Sequence, residues 1–347
     1  MALFKYYSKN IGIDLGTANL LIYLAHKGIV VNQPSVAAVN AKTMNILSVG
    51  DEAKKMISRT PTHINVIRPL VNGVISDFEV TQELLKHFFN LSGGGRFFGF
   101  GKAVLGVPSN LTEVERKSVE DAAIGAGARR AYVIEETVAA TIGAGLPINE
   151  PTSNMIVDIG GGTTDIAIIS LGGSVVSRSL KIAGDHFNQD IINFVRDEFK
   201  LLIGEPTAEE IKIAVGSAVP LSEKLELYIR GRDLVSGLPR EIVIKNTHAR
   251  VALARSLKYI VEAIREVIET APPELAGDIY KNGLYLCGGG SLLRGIAELI
   301  SRELSVKCYI IDEPLTCVVR GIGKVIENFE THKKFLDNPV RPKDISL

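Results

Sequence analysis

The sequence predicts an α/β fold built from two similar halves, and three observations lead to this prediction. A motif of the form apolar-x-Asp-apolar-Gly, followed by threonine, occurs in residues 11–19 and again in residues 156–165. Alternating apolar residues around each glycine turn predict a hairpin followed by a third strand. Beyond these strands, helical and strand patterns alternate in both halves, which is typical of layered α/β domains.

The charge balance excludes one large class of function. The chain of 347 residues carries 39 Lys and Arg against 39 Asp and Glu, and 46% of its residues are hydrophobic. Nucleic-acid binders usually carry a basic excess because they neutralise phosphates. A globular chain of this length usually folds as two domains, so we expect two domains and no nucleic-acid partner.

The patterns of cysteine, histidine and apolar residues argue against several further classes of protein. The cysteines Cys287, Cys308 and Cys317 form no CxxC pair, and the six histidines show no HExxH spacing. A disulfide framework and a zinc site are therefore not indicated. No apolar run reaches the roughly 18 residues that a membrane-spanning helix needs, and the first ten residues lack the apolar core of a signal peptide. We expect a cytoplasmic protein that is soluble or peripheral on a membrane.

The first half contains a meander and then a helix with a clear start signal. A capping box formed by Thr112 and Glu115 predicts a helix that ends near Gly125 and Gly127. The strands predicted in this half are residues 11–15, 20–24, 28–31 and 131–134.

The second half repeats this order. Thr207 and Glu210, after Pro206, form a second capping box, and Pro272-Pro273 end a long helix. The last strand runs into the glycine-rich segment 288–291. The elements predicted here are strands at 155–159, 166–171, 175–182 and 284–287, and helices at 185–202 and 248–269.

The two glycine turns are suited to binding phosphate. Glycine lets backbone N–H groups approach a phosphate closely, threonine adds a hydroxyl donor, and an adjacent aspartate can hold Mg²⁺ through water. A lone turn of this kind is usually an ordinary tight turn, but two copies in matching settings favour phosphate binding from both halves. The sequence contains no Walker A motif and no strand-linked GxGxxG motif. We therefore expect a nucleotide in a cleft between the two halves.

With these motifs, the sequence resembles the actin, heat-shock chaperone and hexokinase superfamily, and within it the bacterial actins of the MreB type. The resemblance extends in order over about residues 10–330 with almost no gaps. The segments that carry it are residues 14–19, 28–36, 67–69, 106–108, 134–136, 158–164, 183–185 and 288–295.

The resemblance implies an actin-like ATPase fold of two duplicated α/β domains, each with a smaller subdomain. Domain I would comprise residues 1–145 and 315–335, with its smaller subdomain at about 32–75. Domain II would comprise residues 146–314, with its smaller subdomain at about 186–246, and residues 336–347 would form a flexible tail.

The function implied by the resemblance is that of an ATP-dependent cytoskeletal protein and slow ATPase. Such a protein binds ATP or ADP with Mg²⁺ and polymerises into filaments of paired protofilaments on the inner face of the cytoplasmic membrane. Those filaments organise cell-wall synthesis together with other morphogenesis proteins and maintain rod shape.

The resemblance also assigns roles to individual residues. Asp14 and Asp158 would order the Mg²⁺ shell, mostly through water. The residues implied to bind nucleotide are Gly16, Thr17, Ala18, Asn19, Gly160, Gly161, Gly162, Thr163, Thr164, Gly184, Asp185, Lys212, Gly288, Gly289, Gly290 and Ser291.

Glu136 is the predicted catalytic residue. Hydrolysis needs a water held in line with the γ-phosphate, and a carboxylate can orient that water and accept its proton. Thr163 would assist it. The alternative is that Glu135-Glu136 is only a charged helix start, which the helix dipole favours. From the residues alone both interpretations stand, and the resemblance favours a catalytic Glu136.

Three positions depart from the usual pattern of the family. Thr137 stands where proline usually follows the glutamate pair, Asp165 replaces a glutamate, and Ala214 replaces an acidic residue two places after Lys212. These changes bear on water positioning and on the contacts of the ribose or base.

An aromatic loop predicts a membrane contact. Phe97, Phe98 and Phe100 lie among glycines, with Arg96 and Lys102 at the ends. Aromatic side chains flanked by cations suit a membrane interface. The alternative is a loop folded back onto the core; the resemblance favours the membrane contact.

Two other functions of the same superfamily remain as alternatives. A small-molecule kinase normally needs an Asp base and a substrate pocket, whereas the candidate base here is Glu136. A chaperone-like ATPase would need a peptide-binding domain, and only a short polar segment follows residue 330.

Overall fold

A computed structural model describes residues 10–93 and 100–336 of the chain. The chain divides into two compact units. Unit 1 takes its described residues from Met1–Pro151, Ile169–Ser174 and Thr316–Leu347, and unit 2 comprises Thr152–Ile168 and Val175–Leu315. No described helix is long and apolar enough to cross a membrane.

Strands and helices alternate through the described residues. The strands are β1 (Ile11–Leu15), β2 (Asn19–Leu24), β3 (Gly28–Pro34), β4 (Ala37–Asn40), β5 (Ile46–Val49), β6 (Ile64–Ile67), β7 (Leu70–Val71), β8 (Val74–Ile75), β9 (Ala103–Val107), β10 (Ala131–Glu135), β11 (Asn154–Ile159), β12 (Thr164–Ser170), β13 (Gly173–Leu180), β14 (Leu201–Leu202), β15 (Glu226–Asp233), β16 (Pro239–Lys245), β17 (Leu284–Cys287) and β18 (Cys308–Ile310). The helices are α1 (Asp51–Lys54), α2 (Phe78–Leu91), α3 (Glu113–Gly125), α4 (Glu136–Gly143), α5 (Gly184–Phe199), α6 (Glu205–Val215), α7 (Asn246–Glu269), α8 (Pro273–Asn282), α9 (Ile296–Leu304), α10 (Cys317–Glu327) and α11 (Phe329–His332). Short 3-10 turns occupy Gly289–Leu292, Pro314–Thr316 and Lys333–Phe335.

The main sheet of unit 1 has the strand order β10-β9-β1-β2-β3. β1, β2 and β3 form the predicted antiparallel meander, and β9 and β10 add in parallel beside β1. Because β1, β9 and β10 are parallel, their carboxyl ends meet at one edge of the sheet, where ligands of open α/β sheets usually bind.

The main sheet of the second half has the same arrangement. Its strand order is β13-β12-β11-β17-β18, with β17 parallel to β11 and β18 parallel to β17. In both sheets, therefore, a strand with a motif aspartate as its penultimate residue lies between the rest of its meander and a later parallel strand. The α/β prediction and the predicted internal duplication are confirmed at the level of topology.

Smaller sheets are inserted into both units. The sheet β5-β4-β6 lies within residues 37–67, and the sheet β14-β15-β16 lies within residues 201–245. These segments fall inside the regions for which the sequence predicts smaller subdomains.

Helix α10, which follows unit 2 in the sequence, packs against the main sheet of unit 1. Helix α10 packs against α4, β1 and β2, and most of its side chains are buried. Gly143 and Gly321 lie where the two helices cross, and a Cβ on Gly321 would overlap the carbonyl oxygen of Ala139. Glycine is required here because the two helix backbones approach each other closely.

The tip of the β12–β13 hairpin belongs to unit 1, whereas the family resemblance predicts that residues 146–314 form domain II. The N–H of Leu171 donates to the carbonyl of Glu150, and the N–H of Gly172 donates to the carbonyl of Ile148. Gly172 also lies against the ring of Phe335. These contacts hold the tip beside chain segments of unit 1.

Two predicted helix starts and one predicted helix end are wrong by two or three residues. Helix α6 begins at Glu205 after Gly204, so Thr207 lies inside the first turn and forms no capping box; Pro206 favours the earlier start because it fits the first turn of a helix. Helix α7 begins at Asn246, two residues before the predicted start. Helix α5 ends at Phe199 because Lys200 adopts a left-handed conformation.

Candidate functional site

The first glycine loop, residues 16–19, runs from the end of β1 to the first residue of β2 in unit 1. A Cβ on Gly16 would lie 2.7 Å from the carbonyl oxygen of Asn19, which is closer than real side chains approach. Thr17 is buried, and its Oγ1 accepts a hydrogen bond of 3.0 Å from the N–H of Gly73. Ala18 and Asn19 are exposed at the loop tip. The loop is thus a tight turn that presents its tip to solvent.

Asp14 and Glu136 lie at the same edge of the unit 1 sheet. Asp14 on β1 and Ile134 on β10 both pair with Gly106 on β9. A Cβ on Gly106 would lie 3.4 Å from Cγ of Glu136, the first residue of α4. The structure therefore places both predicted carboxylates at the carboxyl ends of the parallel strands.

The electrostatic setting of Asp14 is unusual for a carboxyl group. Burial raises the pKa of Asp14 from 3.8 to about 7, because removal from water disfavours the charged form. A cation bound nearby would favour the charged carboxylate over the protonated form. This behaviour fits a residue that orders a divalent ion, and perturbed carboxyl groups often mark functional sites.

Thr137, which replaces the proline usual in the resembling family, is accommodated without a gap. Its side chain is fully buried, and its Oγ1 lies 3.4 Å from Oγ of Ser109, which follows β9. Its carbonyl accepts a bond of 2.8 Å from the hydroxyl of Thr141. The contact with Ser109 is one that a proline side chain would lack, whereas the bond from Thr141 uses the main-chain carbonyl and does not depend on the side chain at position 137.

The second glycine loop, residues 160–163, connects β11 to β12 and repeats the geometry of the first. The N–H of Gly160 donates to the carbonyl of Thr163 over 2.9 Å, and a Cβ on Gly160 would lie 3.2 Å from that oxygen. The side chain of Thr164, predicted to bind nucleotide, is buried, and its hydroxyl donates to the carbonyl of Ile182 over 2.7 Å.

Gly184, Asp185 and Lys212 lie beside the second glycine loop, as a shared site requires. The N–H groups of Gly184 and Asp185 donate to the carbonyls of Gly160 and Gly161 over 3.1 and 2.8 Å. The ammonium group of Lys212 donates to the carbonyl of Gly184 over 3.0 Å. Ala214, one of the departures from the family pattern, packs against the hydrophobic core of unit 2.

The segment Gly288–Ser291 lies next to Asp158. Gly288 adopts φ 75°, and a Cβ there would overlap both Oδ1 of Asp158 and the carbonyl of Ile159. Asp158, at the carboxyl end of β11, is buried and pairs with Cys287 of β17. Ser291 is fully buried, and its hydroxyl donates to the carbonyl of Gly288 over 2.7 Å. Ser291 thus stabilises this turn from within.

Ser35 and Gly73 contact the first glycine loop but were assigned no role from the sequence. The hydroxyl of Ser35 donates to the carbonyl of Gly16 over 2.6 Å, and its N–H donates to the carbonyl of Ala18 over 3.0 Å. Both residues are distant from the loop in sequence, so no local spacing indicates these contacts.

Phe100 does not contact a membrane, and this part of the prediction is wrong. Only 2% of Phe100 is exposed, and its ring packs edge-on against Phe89 with centroids 5.1 Å apart. Its carbonyl accepts from the N–H of Arg129. The ring is therefore part of the unit 1 core, whereas Phe97 and Phe98 lie outside the described residues.

Within residues 10–93 and 100–336, no group of three or more His, Cys, Asp or Glu side chains is positioned to hold a metal ion. Asp14 and Asp158 belong to different units. Their assignment to a Mg²⁺ shell, mostly through water, therefore remains a proposal.

Comparison with known proteins identifies the family. The family model described as MreB/Mbl protein matches residues 8–334. The chain belongs to the MreB/Mbl family. The cell shape-determining protein Mbl of Bacillus subtilis is 47% identical over 324 residues, covering 93% of this chain and 97% of Mbl. The cell shape-determining protein MreB of Escherichia coli K12 is 46% identical over 331 residues, covering 94% of this chain and 95% of MreB.

Several solved structures share the fold of this chain. MreB5 of Spiroplasma citri bound to ADP matches with a TM-score of 0.90 and 40% identity, covering 94% of this chain and 99% of MreB5. The same protein bound to AMPPNP matches with a TM-score of 0.88 and 39% identity, over 94% and 98% of the two chains. A MamK double helical filament, at 23% identity and a TM-score of 0.79, over 92% of this chain and 99% of MamK, shares the fold alone. The predicted actin-like fold is confirmed.

Proposed function

We propose that this MreB/Mbl protein is an ATP-dependent cytoskeletal protein that polymerises into filaments on the inner face of the cytoplasmic membrane. There it organises cell-wall synthesis, together with other morphogenesis proteins, and maintains rod shape. The names of the Mbl and MreB relatives support the role in cell shape, and the nucleotides bound to MreB5 support the binding of ATP and ADP.

One observation carries the nucleotide part of the proposal. Each half has a short glycine turn that directly follows a strand bearing an aspartate, and each turn is hydrogen-bonded from the segment after the third strand of its meander. Repeated, pre-shaped turns of backbone amides suit a chain of phosphates because little ordering is needed on binding.

Asp14 and Asp158 would hold the Mg²⁺ ion, mostly through water, and the ion would offset negative charge on the phosphates. The raised pKa of Asp14 supports this assignment, since a buried carboxylate gains most from a nearby cation. Oxygen ligands from one or two carboxylates and water are typical for Mg²⁺.

Glu136 would orient the water that attacks the γ-phosphate and accept its proton, with Thr163 assisting. Glu136 is half-buried at the start of α4 and lies beside Gly106. This position restricts the side chain without removing it from water, as a general base requires. Hydrolysis would be slow and would serve to weaken the filament.

Sedimentation tests the proposed function as a whole. With ATP and Mg²⁺, the protein should pellet as filaments and bind vesicles containing anionic phospholipid, and it should remain soluble without nucleotide. A Gly288→Val variant should lose both properties, because any side chain at this φ overlaps Asp158. Gly237 also has a positive φ but has open space around it, so Gly237→Asn is the matched control. Protein that stays monomeric with ATP on lipid would contradict the proposal.

Phe97 and Phe98 are proposed to anchor the filament to the membrane. Replacing both by serine should abolish vesicle binding and leave pelleting with ATP unchanged. Full burial of one Phe contributes roughly 1.5–3 kcal/mol, so one loop alone binds weakly. Vesicle binding retained by the double variant would contradict this assignment.

A further inference from the structure

We infer that Ser35 is a positioning residue for phosphate binding, which fixes the orientation of the first glycine loop from outside it. The inference rests on the proposed binding of ATP. Ser35 is fully buried and directly follows β3. It makes two hydrogen bonds to the loop: its hydroxyl donates to the carbonyl of Gly16 over 2.6 Å, and its N–H donates to the carbonyl of Ala18 over 3.0 Å.

These two bonds determine where the loop amides point. In a planar trans peptide, the C=O and the N–H of the same peptide unit point in opposite directions. The carbonyls of Gly16 and Ala18 face Ser35, so the N–H groups of Thr17 and Asn19 face away from it. Asn19 is exposed at the loop tip. Ser35 thus holds two peptide units of the loop with their donors directed outward, which is the arrangement that a phosphate requires.

The second glycine loop is also held by two hydrogen bonds to its carbonyls, but the donors are different. There the carbonyls of Gly160 and Gly161 accept from the N–H groups of Gly184 and Asp185. Gly184 follows β13 as Ser35 follows β3, so in both halves the segment after the third strand holds two loop carbonyls. In the second half both donors belong to the main chain. In the first half one donor is a side chain, so a substitution that shortens this side chain removes a single one of these bonds and leaves the main chain unchanged.

The loss of the hydroxyl has a predictable consequence. Without it, the Gly16–Thr17 peptide loses the bond that fixes its orientation, and a partly buried carbonyl loses its hydroxyl partner. Binding of a nucleotide must then first order this peptide, which lowers affinity for the phosphates. Contacts to the base and ribose do not involve this peptide and should be unaffected.

The test is calorimetric titration of Ser35→Ala with ATP and with AMP, which lacks the β- and γ-phosphates. We expect the Kd for ATP to rise by about fivefold or more, with the Kd for AMP unchanged within twofold. Ser153→Ala is the matched control, because Ser153 is also fully buried and its hydroxyl donates to the carbonyl of Leu275 over 2.9 Å. Ser153→Ala should lower the melting temperature similarly and leave both Kd values unchanged.

A second variant separates positioning from folding. Ser35→Thr keeps the hydroxyl donor, so its ratio of Kd values for AMP and ATP should stay close to that of the wild-type protein, even if the added methyl lowers the melting temperature. An equal loss of ATP and AMP affinity in Ser35→Ala, or unchanged ATP affinity, would overturn the inference. If the wild-type protein fails to bind ATP, the proposed function is wrong as well.

Discussion

At the scale of single residues, the charged form of Asp14 lowers the stability of the folded protein, and the same group is proposed to order a Mg²⁺ ion. Burial raises its pKa from 3.8 to about 7, so the folded protein holds a proton that the unfolded chain releases. The stability contributed by the protonated form is complete below pH 3.8 and is lost as the pH rises through 7. Above neutral pH, the nucleotide-free protein carries the Asp14 carboxylate in its charged, partly desolvated form.

Asp14→Asn should therefore stabilise the nucleotide-free protein, and more at pH 8 than at pH 5. The pKa shift sets an upper limit of about 4 kcal/mol, since one pKa unit corresponds to about 1.4 kcal/mol. Thermal melts of both proteins at the two pH values measure the effect, and Mg²⁺-dependent ATP binding should weaken in the variant. A stability difference that is the same at both pH values would show that the carboxyl group does not titrate as described.

Glu136→Gln should retain ATP binding and lose at least a factor of ten in phosphate release. The amide keeps the size of the side chain but accepts no proton, and general-base assistance is worth about 10²–10⁴-fold. Single-turnover release of phosphate measures the step directly. Thr137→Val is a useful companion, because it removes the hydroxyl near Ser109 without touching the carboxylate. Unchanged turnover in Glu136→Gln would move the catalytic role to another residue.

At the scale of elements, the start of α7 depends on a neutral histidine. Nδ1 of His248 accepts a hydrogen bond of 3.2 Å from the N–H of Lys245, and its ring packs against Phe194 and Phe199. Desolvation, and secondarily the charge of Lys245, lower the pKa of His248 below 6.5, while Glu198 acts weakly in the opposite direction. The cap is complete above the ordinary histidine pKa and is lost as the pH falls through the lowered value.

His248→Asn should lose less stability than the wild-type protein between pH 7 and pH 5. Asparagine keeps an acceptor at the helix start but does not titrate in this range. Because the ring is partly exposed, we expect a small difference, which melting curves at several pH values would measure. Parallel pH profiles of the two proteins would contradict this explanation of the α7 cap.

The crossing of α4 and α10 gives a sharper prediction. Gly321→Ala should destabilise the protein by about 1–3 kcal/mol, because the added methyl overlaps the backbone of Ala139 and the helices must separate. Gly277→Ala is the matched control: Gly277 lies within helix α8, and its Cβ would meet open space. Alanine there should leave stability unchanged or raise it, since alanine favours helix. Similar denaturation midpoints for both variants would refute the close crossing.

Local sequence patterns predicted most elements, because short-range chemistry determines them. The capping box at Thr112 is formed in both directions with Glu115, and both meanders follow from alternation around glycine. The false capping box at Thr207 shows the limit of such patterns, since a proline one position earlier moves the helix start. Phe100 shows another limit: packing against Phe89 decides its burial, and no local pattern encodes that contact.

Some residues of the candidate site can be predicted from local sequence patterns, and others depend on contacts between distant segments. Glycine loops and aspartates were predictable, because their spacing repeats between the halves. Ser35 and Gly73 were assigned no role, because their contacts join segments that are distant in the chain. Only the family resemblance predicts a role for Lys212 in the site. Its hydrogen bond to the carbonyl of Gly184 gives that prediction a geometric basis.

At the scale of the whole molecule, equal numbers of positive and negative residues limit long-range repulsion between copies. They also leave no bulk positive charge to hold the chain on an anionic membrane. A filament aligns many weak membrane contacts, so its binding strengthens through effective concentration.

Vesicle binding should therefore rise steeply with protein concentration in ATP and stay low without nucleotide. Co-sedimentation across a concentration series measures this, with the fraction pelleted in the absence of vesicles as the control. A simple hyperbolic binding curve in both conditions would indicate that single molecules bind the membrane without assembling.

The position of α10 has a consequence for the order in which the chain can fold during synthesis. Helix α10 covers β1 and β2, yet it lies after all of unit 2 in the sequence. Domains usually fold as they leave the ribosome, the first-made ones first. Here the first-made sheet stays uncovered on one face until Cys317–Glu327 has emerged. The later-made unit can complete its core sooner, and a ribosome stalled before α10 would expose the apolar face of β1 and β2 to chaperones.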